Sequence, residues 1–252
     1  MKNKETGVKK FSWLFLLILV GSFTFAGCSV STTGVSKPAS EENTSSAQTD
    51  EESAAPEVKS ELASETPKAN VGAKVSKDGV FKNLNVYTDA SAPDNHFIPS
   101  GWMGDYGDIK YNDKYLTTPH GGTSSIQIVY NTSATQGARW AGIYWQNPPN
   151  NWGTRPGGFD LTGAKKLTFW ARGEKGGERL EEVKIGGITG EYADSDVAGI
   201  GPVVLTAEWQ QFTIDLEGKD LSSISGGFCW ATNLDVNPEG ATFYLDDIRY
   251  EG

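Results

Sequence analysis

Residues 125–151 read SIQIVYNTSATQGARWAGIYWQNPPNN, and this stretch contains the pattern that decides the fold. Two runs rich in β-branched and aromatic residues, 125–130 and 140–146, lie on either side of a polar segment with one glycine. The second run is followed at once by Pro148-Pro149-Asn150-Asn151. Short apolar runs bounded by Gly, Pro and Asn are typical of β-strands joined by turns. This stretch therefore predicts two strands.

The same pattern recurs throughout residues 71–252. Further strands are predicted at 83–88, 166–171, 183–188, 209–214, 226–231 and 242–250. We find no amphipathic helix longer than two turns and no repeat of fixed period. Many short strands with glycine-rich turns predict an all-β sandwich or barrel, and a segment of this length can bury a core.

Composition excludes several classes of function. The 252 residues contain 22 Lys and Arg against 32 Asp and Glu, giving a net charge of −10. No basic block is present, so we expect no nucleic-acid partner, because phosphate binding needs clustered Lys and Arg. Two cysteines build neither a disulfide framework nor a zinc site. Eight tryptophans are unusual for a chain of this length.

Residues 1–28 have the features of an export signal. Four lysines precede an apolar run at 11–25, which is too short for a membrane span. The following Phe25-Ala26-Gly27-Cys28 resembles the lipobox of bacterial lipoproteins, with Phe25 where Leu is usual. The resemblance implies that Cys28 becomes a lipid-modified (palmitate-bearing) N-terminus that anchors the protein to the cell envelope. The alternative is ordinary secretion with cleavage nearby, which leaves Cys28 a free thiol.

Residues 29–70 predict a disordered tether. The segment has no aromatic residue, and between Glu41 and Glu65 it carries eight acids and one base, Lys59. Such a composition buries too little apolar surface to offset the entropy of ordering. The tether would hold the domain at 71–252 away from the membrane. The residue after Cys28 is Ser29 and not the Asp that is typical of inner-membrane retention. In a bacterium with two membranes, the resemblance therefore favours the outer membrane.

Three segments resemble a family of carbohydrate-binding domains. FDLTGAKKLTFWARG at 159–173, WQQFTIDLEGKDL at 209–221 and ATFYLDDIRYE at 241–251 are similar to the middle, late and final strands of galactose-binding-like jelly rolls. These modules are appended to many bacterial polysaccharide-degrading enzymes. The resemblance implies a jelly-roll β-sandwich and a polysaccharide or oligosaccharide ligand.

Candidate ligand-binding residues are dense between 139 and 155. Sugar rings stack on aromatic faces, and planar polar groups bind their hydroxyls. Alternation puts Ala141, Ile143 and Trp145 on the more apolar face of the strand. The opposite face and the following loop supply the predicted contacts, which are Arg139, Trp140, Tyr144, Trp152 and Arg155, with further donors at Gln146, Asn147, Asn150 and Asn151. Packing of Trp152 within its loop is the alternative to binding.

Strand alternation and the family resemblance predict whether two further tryptophans bind a ligand or lie in the core. Trp170 alternates with Leu167 and Phe169, so it lies on the other face, which in jelly rolls is the concave binding surface, and we count it as a sixth ligand contact. Trp209 matches a position that is usually structural in the family, and we predict that it is in the core.

Adjacent carboxylates in the last predicted strand suggest a cation. Asp246 and Asp247 lie between Leu245 and Ile248, and burying unpaired carboxylates is costly unless a cation such as Ca²⁺ binds them. The resemblance implies a structural Ca²⁺ held by this strand and the first one, with Asp246 pointing inward and Asp89 as its partner, completed by carbonyls near 119–122. The alternative is an exposed pair neutralised by Arg249. The pairs Asp105/Asp108 and Asp194/Asp196 are predicted to be solvated loop acids or turn formers.

Enzymatic activity is the least favoured function. Glu191, Asp194 and Asp196 could supply a glycosidase pair, but no predicted strand carries closely spaced alternating acids. Cys229 has no histidine near it in sequence. We therefore expect a lipid-anchored, non-catalytic module that binds a neutral glycan. The alternatives are an assembly lipoprotein that docks a protein partner through the same aromatic surface and a glycan-active enzyme.

Overall fold

A computed structural model describes residues 80–252. The predicted signal segment 1–28, the Cys28 lipidation site and the tether at 29–70 lie outside the described residues and remain predictions. Within 80–252, no helix is long and apolar enough to cross a membrane.

The described residues form a nearly all-β domain. Apart from one 3₁₀ turn at Tyr106–Asp108, its regular elements are strands. In chain order these are β1 (Leu84–Tyr87), β2 (Ile98–Gly104), β3 (Ile109–Tyr115), β4 (Ser125–Tyr130), β5 (Trp140–Gln146), β6 (Lys166–Gly173), β7 (Arg179–Leu180), β8 (Glu182–Gly186), β9 (Val197–Ile200), β10 (Val203–Val204), β11 (Gln210–Asp215), β12 (Gly226–Asn233) and β13 (Ala241–Glu251).

Two antiparallel sheets make a jelly-roll sandwich. The first, called sheet A, has the order β11-β6-β13-β4-β3, with β1 paired to the second half of β13. The second, called sheet B, has the order β2-β5-β12-β8-β9. A short pair, β10 with β7, forms a third, two-stranded sheet. The predicted all-β jelly-roll class is confirmed.

Alternation along each strand explains the core. In β6, Leu167, Phe169 and Ala171 are fully buried, whereas the intervening Trp170 and Arg172 are only half-buried. The inner face of sheet B contributes Trp145 and Phe228, whose rings meet edge to face at 5.4 Å. Phe169 of sheet A packs on Phe228 at 5.5 Å. Aromatic side chains from both sheets therefore interlock at the centre, which stabilises the sandwich through apolar burial.

The predicted strands are all present with end shifts of at most a few residues. Those at 125–130 and 140–146 match β4 and β5. Five strands were not predicted: β2, β3, β7, β9 and β10.

The parity argument grouped Asp246 with both Tyr244 and Ile248, and the structure separates those two residues, although Asp246 itself is fully buried. A register shift lies between Asp246 and Arg249, and Asp247 has a left-handed φ of 47°. Tyr244 consequently points outward while Ile248, four residues later, points into the core. A β-bulge of this kind re-aims side chains within one strand, so simple alternation fails across it.

Candidate functional site

The outer face of sheet B has a floor of small residues. Residues directly opposite one another in neighbouring strands share a face. One row across the sheet runs from Gly101 through Tyr144 and Cys229 to Lys184 and Gly199. The next row contains Met103, Gly142, Ala231 and Glu182, and the last pairs Trp140 with Asn233. Gly142 and Ala231 lie in the middle of this face, and a Cβ on Gly142 would lie 3.0 Å from Met103 Cε.

Two half-exposed indoles lie on this face. Trp140 stands at the start of β5 and is 40% exposed, and Trp152 on the loop after β5 is 41% exposed. Trp152 meets Tyr144 edge to face, with ring centroids 5.8 Å apart. We call this surface, from Trp140 across the small-residue floor to Trp152, the groove.

Tyr144 supports the groove from below. It is only 4% exposed, and its hydroxyl donates a hydrogen bond to the carbonyl of Gly186 at 2.9 Å. Burial raises the pKa of Tyr144 far above its usual value. Lys184 Nζ lies 5.7 Å from the centre of its ring. Tyr144 therefore acts chiefly as a rigid base for Trp152.

Sequence reasoning missed three side chains of this surface. Glu182 and Lys184 point outward from β8 and form an ion pair at 2.7 Å, offering a carboxylate and an ammonium beside the floor. Tyr192 is exposed on a loop whose backbone is hydrogen-bonded to Gly153, next to Trp152. The sequence does contain signals for these residues. The charged Glu182 and Lys184 flank apolar Val183 in β8, and Tyr192 is an aromatic residue in a polar loop.

The polar residues predicted as sugar donors mostly build the loop that carries Trp152. Gln146 is buried and donates to the Asn151 carbonyl at 3.0 Å, while Asn151 donates to the Arg155 carbonyl at 2.9 Å. The Arg155 guanidinium donates back to the Pro149 carbonyl. These bonds fix the loop, so Trp152 is held in place by its neighbours.

At the other end, Asp105 fixes the chain before Trp140 with its buried carboxylate, and its backbone N–H donates to the Trp140 carbonyl at 2.7 Å. Asp105 accepts hydrogen bonds from the backbone N–H groups of Gln136, Ala138 and Arg139 at 2.5–2.9 Å. Asp105 and Asp108 are both buried, so they are turn formers and not solvated acids. The Arg139 side chain pairs with exposed Asp235 at 2.9 Å.

The structure does not bring Trp170 to the groove. It lies on the outer face of sheet A, on the opposite side of the sandwich, where the His120 ring stacks on it at 3.7 Å. The prediction that Trp209 is in the core is wrong. Trp209 is half-exposed on the same outer face and donates from Nε1 to the Thr118 carbonyl at 3.0 Å. It precedes β11 at an outward position, which explains its exposure.

The candidate catalytic acids hold loops together. Asp194 accepts hydrogen bonds from the N–H groups of Ile188 and Ser225 at 3.0 and 2.5 Å, and burial raises its pKa. Asp196 accepts from the N–H groups of Val197 and Asp220 and pairs with Lys219. Both carboxylates thus serve turns beside the Trp152 end of the groove.

Asp89 and Asp246 both hold the segment 120–124. The N–H groups of Thr123 and Ser124 donate to Asp89 Oδ1 at 2.8 and 2.7 Å, and these bonds outweigh burial and lower its pKa. Those of His120 and Gly121 donate to Asp246 Oδ2 at 2.9 and 3.2 Å. The two predicted metal ligands therefore accept hydrogen bonds from the same short segment.

The surroundings of this pair fit a hard cation in part. Asp246 is fully buried, which raises its pKa to about 6, and the four hydrogen bonds to Asp89 all use Oδ1. A Cβ added at Gly122 would lie 1.9 Å from Asp89 Oδ2, so the backbone approaches the carboxylate closely. Asp247 pairs with Arg249 and His120. Among residues 80–252 no cluster of three or more His, Cys, Asp or Glu is arranged for a metal, so carbonyl oxygens would have to complete the shell.

Comparisons with known proteins show similarity only at the level of structure. No family model and no curated protein matches the sequence. A family 30 carbohydrate-binding module from a cellulosomal cellulase of Clostridium thermocellum is 16% identical, with a TM-score of 0.44 over 67% of this chain and 96% of that one. A family 11 module of the same organism, solved with a β-1,3-1,4-mixed-linked tetrasaccharide, is 12% identical, with a TM-score of 0.43 over 68% and 95%.

Proposed function

We propose that the groove on sheet B binds a neutral glycan by aromatic stacking, without catalysing a reaction. The observation that carries the proposal is the pair of half-exposed indoles, Trp140 and Trp152, on the outer face of sheet B. Each ring offers an exposed apolar face that a ligand can cover. Sugar rings supply the C–H faces that stack on such rings.

The remaining chemistry of the groove supports a sugar in preference to a protein. Glu182 and Lys184 place a hydrogen-bond acceptor and a donor beside the floor. A flat apolar patch, which would favour a protein partner, lacks charged groups of this kind at its centre. Residues 71–252 hold 15 Lys and Arg and 23 Asp and Glu, a net charge of −8, which disfavours polyanionic glycans. An open groove predicts weak affinity, with Kd of roughly micromolar to millimolar.

The first experiment is native affinity electrophoresis of the purified protein in gels that contain soluble polysaccharides. The panel includes neutral β-glucans, among them mixed-linkage glucan, together with xylan, mannan and, as a charged control, polygalacturonate. We expect retardation by at least one neutral polysaccharide and none by polygalacturonate. Absence of retardation in every gel, with capture of an envelope protein instead, would support the docking alternative.

We also propose that Asp89 and Asp246 hold a structural Ca²⁺ with carbonyls of the segment 119–122. When bound, the ion would supply positive charge to a buried carboxylate and tie the first and last strands to this segment. Thermal unfolding in excess Ca²⁺ and in EGTA tests the proposal. We expect a higher Tm with Ca²⁺ and no shift in an Asp246→Asn variant. An equal shift in both proteins would place the ion elsewhere.

Finally, we propose that Cys28 carries the lipid anchor and that residues 29–70 tether the domain to the bacterial envelope. The support is the sequence Phe25-Ala26-Gly27-Cys28 after an apolar run. Expression in a bacterium that processes lipoproteins, followed by detergent partitioning, tests the anchor. We expect the wild type in the detergent phase and a Cys28→Ser variant outside it. Equal partitioning of the two proteins would contradict the anchor.

A further inference from the structure

Sheet B carries one isolated pair of opposite charges. Its five strands, all within residues 80–252, contain only two charged residues, Glu182 and Lys184 of β8. The two side chains form an ion pair in which Lys184 Nζ lies 2.7 Å from Glu182 Oε2. Because every other residue in these strands is uncharged, this pair dominates the electrostatic potential that the sheet presents to a ligand in the groove.

The ion pair lies close to the aromatic platforms of the groove. Pairing across the strands puts Glu182 directly opposite Ala231 of the groove floor. The Lys184 ammonium lies 5.7 Å from the centre of the Tyr144 ring, and the ring of Trp152 lies 5.8 Å from the same centre. A sugar chain that contacts both indoles of the groove therefore passes beside the carboxylate and the ammonium.

The carboxylate is the more accessible member of the pair. The Glu182 side chain is 50% exposed, whereas the Lys184 side chain is only 23% exposed. Lys184 lies opposite Gly199 of the edge strand β9, where a Cβ would come within 2.9 Å of Lys184 Cβ. The glycine thus leaves room for the lysine to lie against the sheet. An incoming ligand meets the carboxylate first and an ammonium that is already paired.

This arrangement distinguishes neutral sugars from acidic ones. A uronic acid carries a carboxylate where the parent hexose carries a hydroxymethyl group. Beside Glu182 that carboxylate would face a like charge, and it could pair with Lys184 only if the existing ion pair opened. Neutral hydroxyls meet no such cost, because one hydroxyl can donate to Glu182 while another accepts from Lys184.

A second ion pair near the groove is much more solvated. At the Trp140 end, Arg139 pairs with Asp235 at 2.9 Å, and their side chains are 61% and 78% exposed. Water and salt screen the field of charges that are this exposed. Glu182 and Lys184 are therefore the charges that act most strongly on a sugar in the groove.

We propose that Glu182 determines the charge selectivity of the groove. By engaging Lys184 and repelling carboxylates, it restricts the groove to neutral sugar units and excludes uronic acids. The inference rests on the proposed glycan-binding function, and it names the residue that selects the class of sugar within that function.

The test compares one polysaccharide in two charge states. A neutral hexose polysaccharide that retards the protein in electrophoresis is used unmodified and after partial oxidation of its primary hydroxyls to carboxylates, which keeps its linkages. If xylan is the polysaccharide found, glucuronate-substituted xylan is the acidic form. Calorimetry on the purified protein gives Kd for each form. The ratio of the acidic Kd to the neutral Kd separates charge selectivity from a general loss of affinity, and we expect about tenfold or more for the wild type.

Three variants assign the selectivity to the ion pair. Glu182→Gln frees the ammonium to bind a carboxylate, so it should lower the ratio about fivefold or more. Lys184→Gln leaves Glu182 unpaired and should raise the ratio above that of the wild type. Glu217→Gln removes an exposed acid after β11, and this matched control for net charge should keep the wild-type ratio. Exposed ion pairs contribute little to stability, so we expect all three variants to fold, and Lys184→Gln decides the test if Glu182→Gln does not.

Several results would overturn the proposal alone. These are equal binding of the two forms by the wild type, a ratio that Glu182→Gln leaves unchanged, an equal fall in Glu217→Gln, and a ratio in Lys184→Gln at or below that of the wild type. The glycan-binding function would stand in each case, because binding of the neutral form is measured separately. A protein that binds no neutral polysaccharide would refute that function and this proposal together.

Discussion

The groove makes a quantitative prediction for Trp140→Ala and Trp152→Ala. A tryptophan buries about 150–250 Å² when it is fully covered. With 40% and 41% of each side chain exposed, roughly 60–100 Å² of each remains for a stacked sugar. At about 25 cal/mol per Å², that area corresponds to at most about 1.5–2.5 kcal/mol of binding free energy for each ring. Incomplete cover by one sugar lowers this to about 1 kcal/mol or more, so each variant should bind about 5- to 50-fold more weakly.

The two losses should add. Trp140 lies four residues from Tyr144 along β5, which is about 13 Å of strand, and Trp152 rests on Tyr144. Sites this far apart without a shared partner are usually energetically independent. The double variant should therefore lose about 2–5 kcal/mol and show no measurable binding of a ligand that the wild type binds weakly.

Calorimetry with the polysaccharide found by electrophoresis measures these losses. Trp209→Ala removes another half-exposed indole, but from the opposite sheet, and is the matched control. Its affinity should equal that of the wild type, and thermal unfolding should confirm that all variants fold. If the Trp140 and Trp152 variants each bind within twofold of the wild type, the stacking argument is refuted.

Four further predictions concern the groove and the fold. Ala231→Phe, on the groove floor, should reduce glycan affinity more than tenfold by calorimetry while Tm changes by only a few degrees, because the side chain points away from the core. Tyr250→Phe should lower the free energy of urea unfolding by about 1–3 kcal/mol, because it leaves the buried Gly227 carbonyl without its 2.6 Å hydrogen bond. Gly122→Ala should lower Tm, because a Cβ there meets Asp89 and φ is 58°; an unchanged Tm would contradict this close approach. Burial pushes the pKa of Glu251 upward, but Thr168 and Lys166 outweigh it and lower the pKa. The ionised Glu251 therefore stabilises the fold above its pKa in the unfolded state, and this stability is lost as the pH falls through its pKa in the folded state. Glu251→Gln should make the free energy of urea unfolding fall less steeply at acidic pH.

The strands that sequence predicted and those it missed differ in their place in the sheets. Central strands such as β5 and β12 carry the alternation or continuous apolar character that pattern analysis detects. Three of the missed strands, β2, β3 and β9, are sheet edges. Edge strands tolerate residues such as Pro99 in β2 and Lys114 in β3, because one side of their backbone needs no partner. Their signal is therefore weak in the sequence.

The sequence predicted those parts of the candidate site that depend only on which face of a strand a residue occupies. Alternation correctly put Trp145 in the core and left Trp140 outside. Alternation predicts the face of a strand on which a residue lies, but not the sheet to which the strand belongs. It therefore could not show that Trp170 lies on the other sheet from the groove residues. It also could not anticipate the bulge at Asp247, which changes the direction of Ile248, because the sequence pattern does not reveal a single inserted residue. Glu182 and Lys184 reach the groove only through pairing between distant strands.

The two outer faces differ in whether other side chains cover their aromatic rings. On sheet A, the Trp170 face is occupied by the His120 ring, and Arg172 lies over Tyr244 at 3.8 Å from the ring centre. A sugar would have to displace these partners before it could stack, which costs the energy of the existing contacts. On sheet B, Trp140 and Trp152 keep 40% and 41% of their surface exposed, and the one ring that contacts Trp152 among the described residues is buried Tyr144. Similar aromatic content therefore has different consequences: rings already paired stabilise the fold, and rings left open are the ones available to a ligand.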